Sequence, residues 1–174
     1  MKISELLDSV AKHDLVLPEF QREYVWSRDQ AKQLMFSLVK NYPVGSLLFW
    51  KTDNPPELKN LFEKPEKLGM IQVILDGQQR ITTLFLLIRG NIPPYYKETD
   101  IENDPRELYY NLEDGDFQYF QASRMKTNPL WVKVIDCFNR TDINVFMIAK
   151  AVLGNDDGSK AFELAQQYNT SLNN

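Results

Sequence analysis

The chain has 174 residues, 43% of them hydrophobic and 25% charged, with a net charge of −4; this is the balance of a soluble globular protein long enough to bury a core without staples. One histidine, His13, and one cysteine, Cys137, exclude a Cys/His zinc site and an internal disulfide, and a single thiol fits a reducing compartment, so the cytoplasm is the expected location. Residues 1–87 balance eleven basic against eleven acidic side chains, while 88–174 carry nine against thirteen, which excludes a bulk electrostatic DNA binder but allows a local basic site.

In chain order, Ile3, Leu6, Leu7 and Val10 recur at helical spacing and predict a short amphipathic helix over 3–12. His13 then reads as a cap at its C-terminal end. LVLPEFQREYVWS follows, with a brief extended segment at Leu15–Leu17 before Pro18. Ser27 and Gln30 form a capping-box pattern opening a helix that buries Ala31, Leu34, Met35, Leu38 and Val39 and runs to about Asn41.

Tyr42-Pro43-Val44-Gly45 reads as a turn and SLLFWK as a strand, apolar enough to be central. Residues 52–69 are rich in proline and charge and predict a solvated loop with one helical turn. IQVIL is a second strand; DGQQR follows at once, and ITTLFLLIR runs as a wholly buried helix ending at Gly90.

Beyond it, NIPPYYKETDIENDPRE predicts a mobile surface loop. LYYNL, EDGD and FQYF form a hairpin, and WVKVI a further strand. Cys137 reads as an inert packing residue. Residues 142–153 and 158–169 predict two helices around a Gly154–Gly158 turn, and the final SLNN a disordered end. The expected fold class is α/β, in the sense of α+β with a mixed sheet, a buried helix after the DGQQR strand and C-terminal helices. The expected domains are 1–140 and a helical extension 141–174. No apolar run reaches a membrane span, and MKISELLDSV lacks the core of a signal peptide.

The sharpest chemical feature is Asp76-Gly77-Gln78-Gln79-Arg80 between a buried strand and a buried helix. Polar side chains at such a junction need partners. A helix N-terminus offers unsatisfied N–H groups and partial positive charge, Gly77 lets a ligand approach the backbone, and Arg80 can fork onto phosphate or carboxylate oxygens. Thr82 and Thr83 lie just beyond. The simpler reading is a capping box, with Asp76 accepting from backbone N–H groups, Gln79 reaching back and Arg80 paired to an acid. A second segment, with Glu19, Gln21, Arg22 and Trp26 among large apolar groups, points to two Arg- and Gln-bearing stretches converging on one cleft. Tyr95-Tyr96 and Tyr109-Tyr110 read as core pairs, and Glu113-Asp114-Gly115-Asp116 as a solvated turn.

Taken in order, LPEFQREYVW, YPVGSLLFW, ILDGQQRITTL, LYYNLEDGDF and LWVKV resemble the N-terminal domain of GmrSD-type, modification-dependent restriction proteins, a domain similar to the ParB/sulfiredoxin-like fold. The resemblance runs from about Leu15 to Ile135. It implies a domain that binds and hydrolyses a nucleoside triphosphate and regulates the cutting of modified foreign DNA in phage defence. The signature falls on Asp76, Gly77, Gln78, Gln79 and Arg80, with Phe20, Gln21 and Arg22 in the partner segment. Asp76, Gln78, Gln79 and Arg80 are then the expected catalytic residues. Gln21, Arg22, Gly77, Arg80 and Thr83 are the expected phosphate contacts, and Asp76 the expected Mg²⁺ ligand. Arg80 and Arg22 would hold phosphate oxygens, the backbone at Gly77–Gln79 would donate to them, and Gln78 or Gln79 would orient the attacking water. Asp76 remains open between metal or water positioning and capping.

The family's longer members end in a helical region and an HNH nuclease. One histidine cannot supply an HNH centre, so the nuclease is expected in another domain or subunit, with modified DNA as its target and oligomerisation open. The other reading is a non-catalytic ParB-like adaptor that binds DNA or protein and uses DGQQR structurally. Sulfiredoxin-type phosphotransfer is unexpected, because the loop has no cysteine.

Overall fold

A computed structural model describes residues 2–60, 69–139, 143–154 and 158–173. The helical turn expected within 61–68, the middle of the Gly154–Gly158 turn, the first residue of the 142–153 helix and Asn174 lie outside the described residues. Among the described residues the architecture is mixed α+β, with two three-stranded sheets. Two compact units divide the chain: Met1–Leu34 with Pro43–Pro105, and Met35–Tyr42 with Arg106–Asn174.

In the first unit, α1 (Ile3–Ala11) buries Leu6, Leu7 and Val10. His13 ends it as a backbone cap. At φ 62 it takes the left-handed position past the helix, its N–H donating to Val10 O (3.2 Å) while Asp14 N–H donates to Ser9 O (2.9 Å), the paired bonds of a Schellman motif. β1 (Leu15–Val16) follows.

α2 (Arg28–Val39) opens with the expected box: Gln30 N–H donates to Ser27 Oγ (3.2 Å), and Ser27 N–H to Gln30 Oε1 (2.9 Å). The same Schellman pair closes it at Asn41, φ 54.

β3 (Ile71–Asp76) is the central strand of the order β1-β3-β2. It runs parallel to β1, with Val16 opposite Val73, and antiparallel to β2 (Leu48–Thr52), with Trp50 opposite Val73. Val16, Leu58, Ile71 and Val73 cluster on one face. β2 is therefore an edge strand and not the central one its apolar composition predicts. Leu48 and Trp50, two residues apart and so on one face of the strand, are exposed. α3 (Gln78–Leu84) continues as a π-helical turn, Phe85–Arg89, stopped by Gly90 at φ 72. Every residue from Gln78 to Ile88 except Arg80 is buried.

The 91–105 stretch departs from the mobile loop expected of it. Tyr95 and Tyr96 are buried edge to face with ring centroids 5.2 Å apart, so two aromatic anchors outweigh the surrounding prolines and acids.

In the second unit, β4 (Leu108–Asn111) lies between β5 (Phe117–Tyr119) and β6 (Trp131–Lys133) in an antiparallel sheet, as the hairpin pattern predicts. A short helix α4 (Ala122–Met125) precedes β6. WVKVI is strand only to Lys133. Val134–Asn139 forms α5, so its last two residues turn helical. Cys137 in α5 is largely enclosed, and burial, then the Asp136 carboxylate, push its thiol pKa up to about 12. α6 (Val145–Leu153) is capped by Asn144, whose side chain accepts from Met147 N–H. α7 (Gly158–Asn173) buries Ala161, Ala165 and Tyr168. Its helix continues through the SLN once expected to be disordered, with the Thr170 hydroxyl donating to Gln166 O and the Asn173 amide to Asn169 O.

Candidate functional site at the DGQQR junction

β3 is enclosed up to Ile74, and its last two residues, Leu75 and Asp76, reach the surface. Asp76 emerges there with its side chain 68% exposed. Gly77 then turns the chain at φ 95, a left-handed conformation that a side chain would strain, and acts as the N-cap of α3 with no side-chain cap bond. Asp76 is thus not the capping residue. Its Oδ2 instead accepts from Arg80 Nη2 at 2.9 Å.

Arg80 is held by three hydrogen bonds at the junction. Besides Asp76, its guanidinium donates to Val44 O (2.6 Å) and Ser46 O (2.7 Å), which leaves it 16% exposed. The YPVGS stretch wraps this side chain. Gly45, at φ 86, is required because a Cβ there would overlap Arg80 Nη1, and a Cβ on Gly77 would overlap Leu47 Cδ2. The close approach that Gly77 permits is therefore filled here by Leu47.

The two glutamines clamp the other segment. Gln79 Oε1 accepts from Val25 N–H (3.0 Å) and Trp26 N–H (3.3 Å), and its Nε2 donates to Glu23 O (2.9 Å). The buried amide thus replaces the backbone partners that residues 23–26, which lack a ladder of their own, would otherwise need. Gln78 Nε2 donates to Arg22 O and to the Tyr96 hydroxyl, which in turn donates to Arg22 O at 3.2 Å. Gln21 closes the loop by donating from Nε2 to Leu75 O (3.0 Å).

Thr83, 0% exposed, donates to Gln79 O at 2.8 Å; its hydroxyl proton is committed, so Tyr24 OH is the donor in the 3.0 Å bond between them. Thr82 shares a bond with Tyr95 OH at 3.2 Å. No buried side-chain nitrogen or oxygen among the described residues lacks a partner.

The FQREYVW and DGQQR segments therefore meet, as their composition predicts, through the side chains of Gln21, Gln78 and Gln79. Gln21, Arg22, Asp76, Gly77, Gln78, Gln79 and Arg80 are brought together, with Thr83 one layer below. Phe20 is 69% exposed. Arg22 is exposed, and among the described residues its guanidinium has no ion pair or hydrogen-bond partner.

Three participants went unseen in the sequence. Leu47 covers Gly77. Tyr96 completes the Gln78 triangle. Lys59, buried, pairs with Glu23 and stands 5.6 Å from the Tyr96 ring centroid. Only Lys59 carried a faint signal, as a lone lysine between apolar Leu58 and Leu61.

Burial pushes the hydroxyl pKa values of Tyr24, Tyr95 and Tyr96 above the usual tyrosine value, so all three are neutral hydrogen-bonding groups at physiological pH. Among the described residues no three His, Cys, Asp or Glu side chains gather as a metal cluster. Mg²⁺ does not require one, since it is commonly held by one or two carboxylates together with phosphate and water oxygens. The exposed Asp76 carboxylate fits that mode.

A family profile described as GmrSD restriction endonuclease, N-terminal domain, matches residues 3–171. The chain belongs to this family. The uncharacterized protein MJ0686 of Methanocaldococcus jannaschii is 35% identical over 95 residues, which cover 48% of this chain and 16% of that protein. The chain therefore aligns with only a small part of that relative. No helix of the described residues is long and apolar enough to cross a membrane.

Proposed function

We propose that this GmrSD N-terminal domain binds a nucleoside triphosphate at the DGQQR junction and hydrolyses it as the regulatory step of a modification-dependent restriction system. The observation that carries this reading is the pairing of a committed and an uncommitted arginine. Arg80 is fixed beside the exposed Asp76 carboxylate. Arg22, unpaired among the described residues, has its backbone tied to the same junction by Gln78 and Tyr96. Positioning and charge neutralisation supply most of the catalysis in phosphoryl transfer. A free guanidinium on a clamped backbone suits that task.

In this reading Arg22 and Arg80 neutralise phosphate oxygens, assisted by the backbone around Gly77. Asp76 is the residue that would hold Mg²⁺, which when bound supplies charge neutralisation between phosphates. Gln21, Gln78 and Gln79 hold the arginine-bearing segment in place. For Gln78 or Gln79 to orient the attacking water, its amide would have to release that segment. Thr83 acts through Tyr24. The fold relationship is ParB/sulfiredoxin-like, residues 1–140 form the nucleotide domain, and residues 141–174 begin a helical extension. An HNH nuclease domain or subunit acting on modified DNA is the partner, and the setting is cytoplasmic phage defence.

A second reading has support of its own. The amide nitrogens of Gln78 and Gln79, the amide oxygen of Gln79 and both terminal nitrogens of Arg80 are bonded within the chain, as expected of a non-catalytic adaptor that uses the motif as a brace. The test is a panel of nucleoside triphosphates with Mg²⁺, scored by thermal shift and released phosphate on wild type, Asp76→Ala and Arg80→Ala. Binding and turnover by wild type, lost in the folded variants, support the nucleotide reading. A flat response to every nucleotide overturns the nucleotide reading and favours the adaptor.

A further inference from the structure

We infer that residues 43–47 form a lid over the DGQQR turn, latched shut by Arg80 and plugged by Leu47. The inference rests on the nucleotide reading for its purpose, but the lid itself is defined by geometry alone. Pro43–Leu47 lacks regular secondary structure, and Pro43, Gly45 and Ser46 are exposed. Among the described residues no backbone–backbone hydrogen bond ties this stretch to the rest of the chain. Its polar anchors are two carbonyls, Val44 O and Ser46 O, both held by the guanidinium of Arg80. Its apolar anchor is Leu47, seated where a Cβ on Gly77 would lie.

A segment with solvated backbone and a single latching side chain belongs to the least stable part of a fold and opens without unfolding the rest. Gly45, at φ 86, is the point where the backbone can change conformation at least cost. The latch is also the group on which an anion would act. A guanidinium forks as readily onto phosphate oxygens as onto carbonyls, and ionic acceptors bind it more strongly. An incoming phosphate that takes Arg80 from Val44 O and Ser46 O would free the stretch, and Leu47 would lift from Gly77. The closed state described here thus shields the turn until the ligand exchanges the latch.

The test is limited proteolysis of the full chain by a broad-specificity protease, without nucleotide, for wild type, Arg80→Lys and Leu47→Ala. Lysine keeps the charge but cannot fork onto both carbonyls. Cleavage within 43–48 is expected to quicken about tenfold in both variants while Ile71–Ile74 stays as resistant as in wild type. Unchanged cleavage within 43–48, or an equal rise across β3, overturns the lid. A second arm measures affinity for Mg²⁺–nucleotide. Leu47→Ala is expected to bind several-fold more tightly than wild type. Equal affinities overturn the lid and leave the nucleotide reading standing. Absence of binding to either protein overturns the nucleotide reading, and the proteolysis arm then decides the lid by itself.

Discussion

Gln79 shows what a single side chain does in this domain. Its amide satisfies two backbone donors and one backbone acceptor of residues 23–26, so removing it strands groups that no ladder can recover. Gln79→Ala is expected to destabilise the protein by about 1–3 kcal/mol, read from urea unfolding, since an unsatisfied group costs about that much. Gln79→Glu keeps the acceptor oxygen for both N–H groups but loses the donor and sets a carboxylate against Glu23 O, so it should not restore stability. Wild-type stability in either variant would mean that water replaces these bonds freely. The importance of the two glutamines was legible in the sequence, because polar groups between a buried strand and a buried helix must find partners. Their partners were not, because Arg22 O, Glu23 O and the Tyr96 hydroxyl lie 18–56 residues away and are chosen by tertiary structure.

At the scale of elements, the turn from β3 into α3 depends on two glycines, and a third serves as a control. Gly77→Ala must accept both φ 95 and an overlap with Leu47, whereas Gly115→Ala, at φ 73, meets only the Tyr110 hydroxyl at an ordinary 3.5 Å. Strain of this kind costs about 1–3 kcal/mol per site, so Gly77→Ala should lower the urea midpoint clearly more than Gly115→Ala. Equal losses would show that Leu47 yields without cost.

The buried tyrosines beside α3 make a pH prediction. Tyr24, Tyr95 and Tyr96 titrate higher in the folded protein than the usual tyrosine pKa of 10.0. The unfolded chain releases these protons first, so their contribution is fully present below pH 10 and falls as the pH rises through the folded values. Stability should decline above about pH 10, and Tyr95→Phe should flatten that decline; an identical slope would show that other groups govern it.

Element existence was largely readable here. A period of 3.6 gave α1 and α2, Ser27 and Gln30 gave the cap, and an unbroken apolar run gave β3. Position within the sheet was not. SLLFWK is apolar on both faces, yet its neighbour on one side is β3 and on the other no strand among the described residues. Likewise Val134 and Ile135 suit a strand by composition, but α5 claims them.

At the scale of the whole molecule, one histidine and one cysteine rule out a zinc site built from Cys and His within these 174 residues. The family assignment agrees in kind with what the motif order suggested. What the linear sequence could not rank was the two arginines. DGQQR made Arg80 the obvious ligand contact, whereas the fold commits Arg80 to Asp76 and the 44–46 carbonyls and leaves Arg22 uncommitted among the described residues. Arg80→Ala therefore mixes lost binding with a lost latch, while Arg22→Ala removes charge alone and should leave thermal stability nearly unchanged.

The most direct measurement is a calorimetric titration of wild type and Arg22→Ala with the triphosphate that shifts the melting temperature most, in the presence of Mg²⁺. At 100 times the dissociation constant the ligand should stabilise wild type by about 2.7 kcal/mol. Arg22→Ala is expected to melt like wild type without ligand and to bind at least tenfold more weakly. Equal affinity in the two proteins, or no binding to wild type by any triphosphate, would contradict a phosphate site at the junction where FQR meets DGQQR.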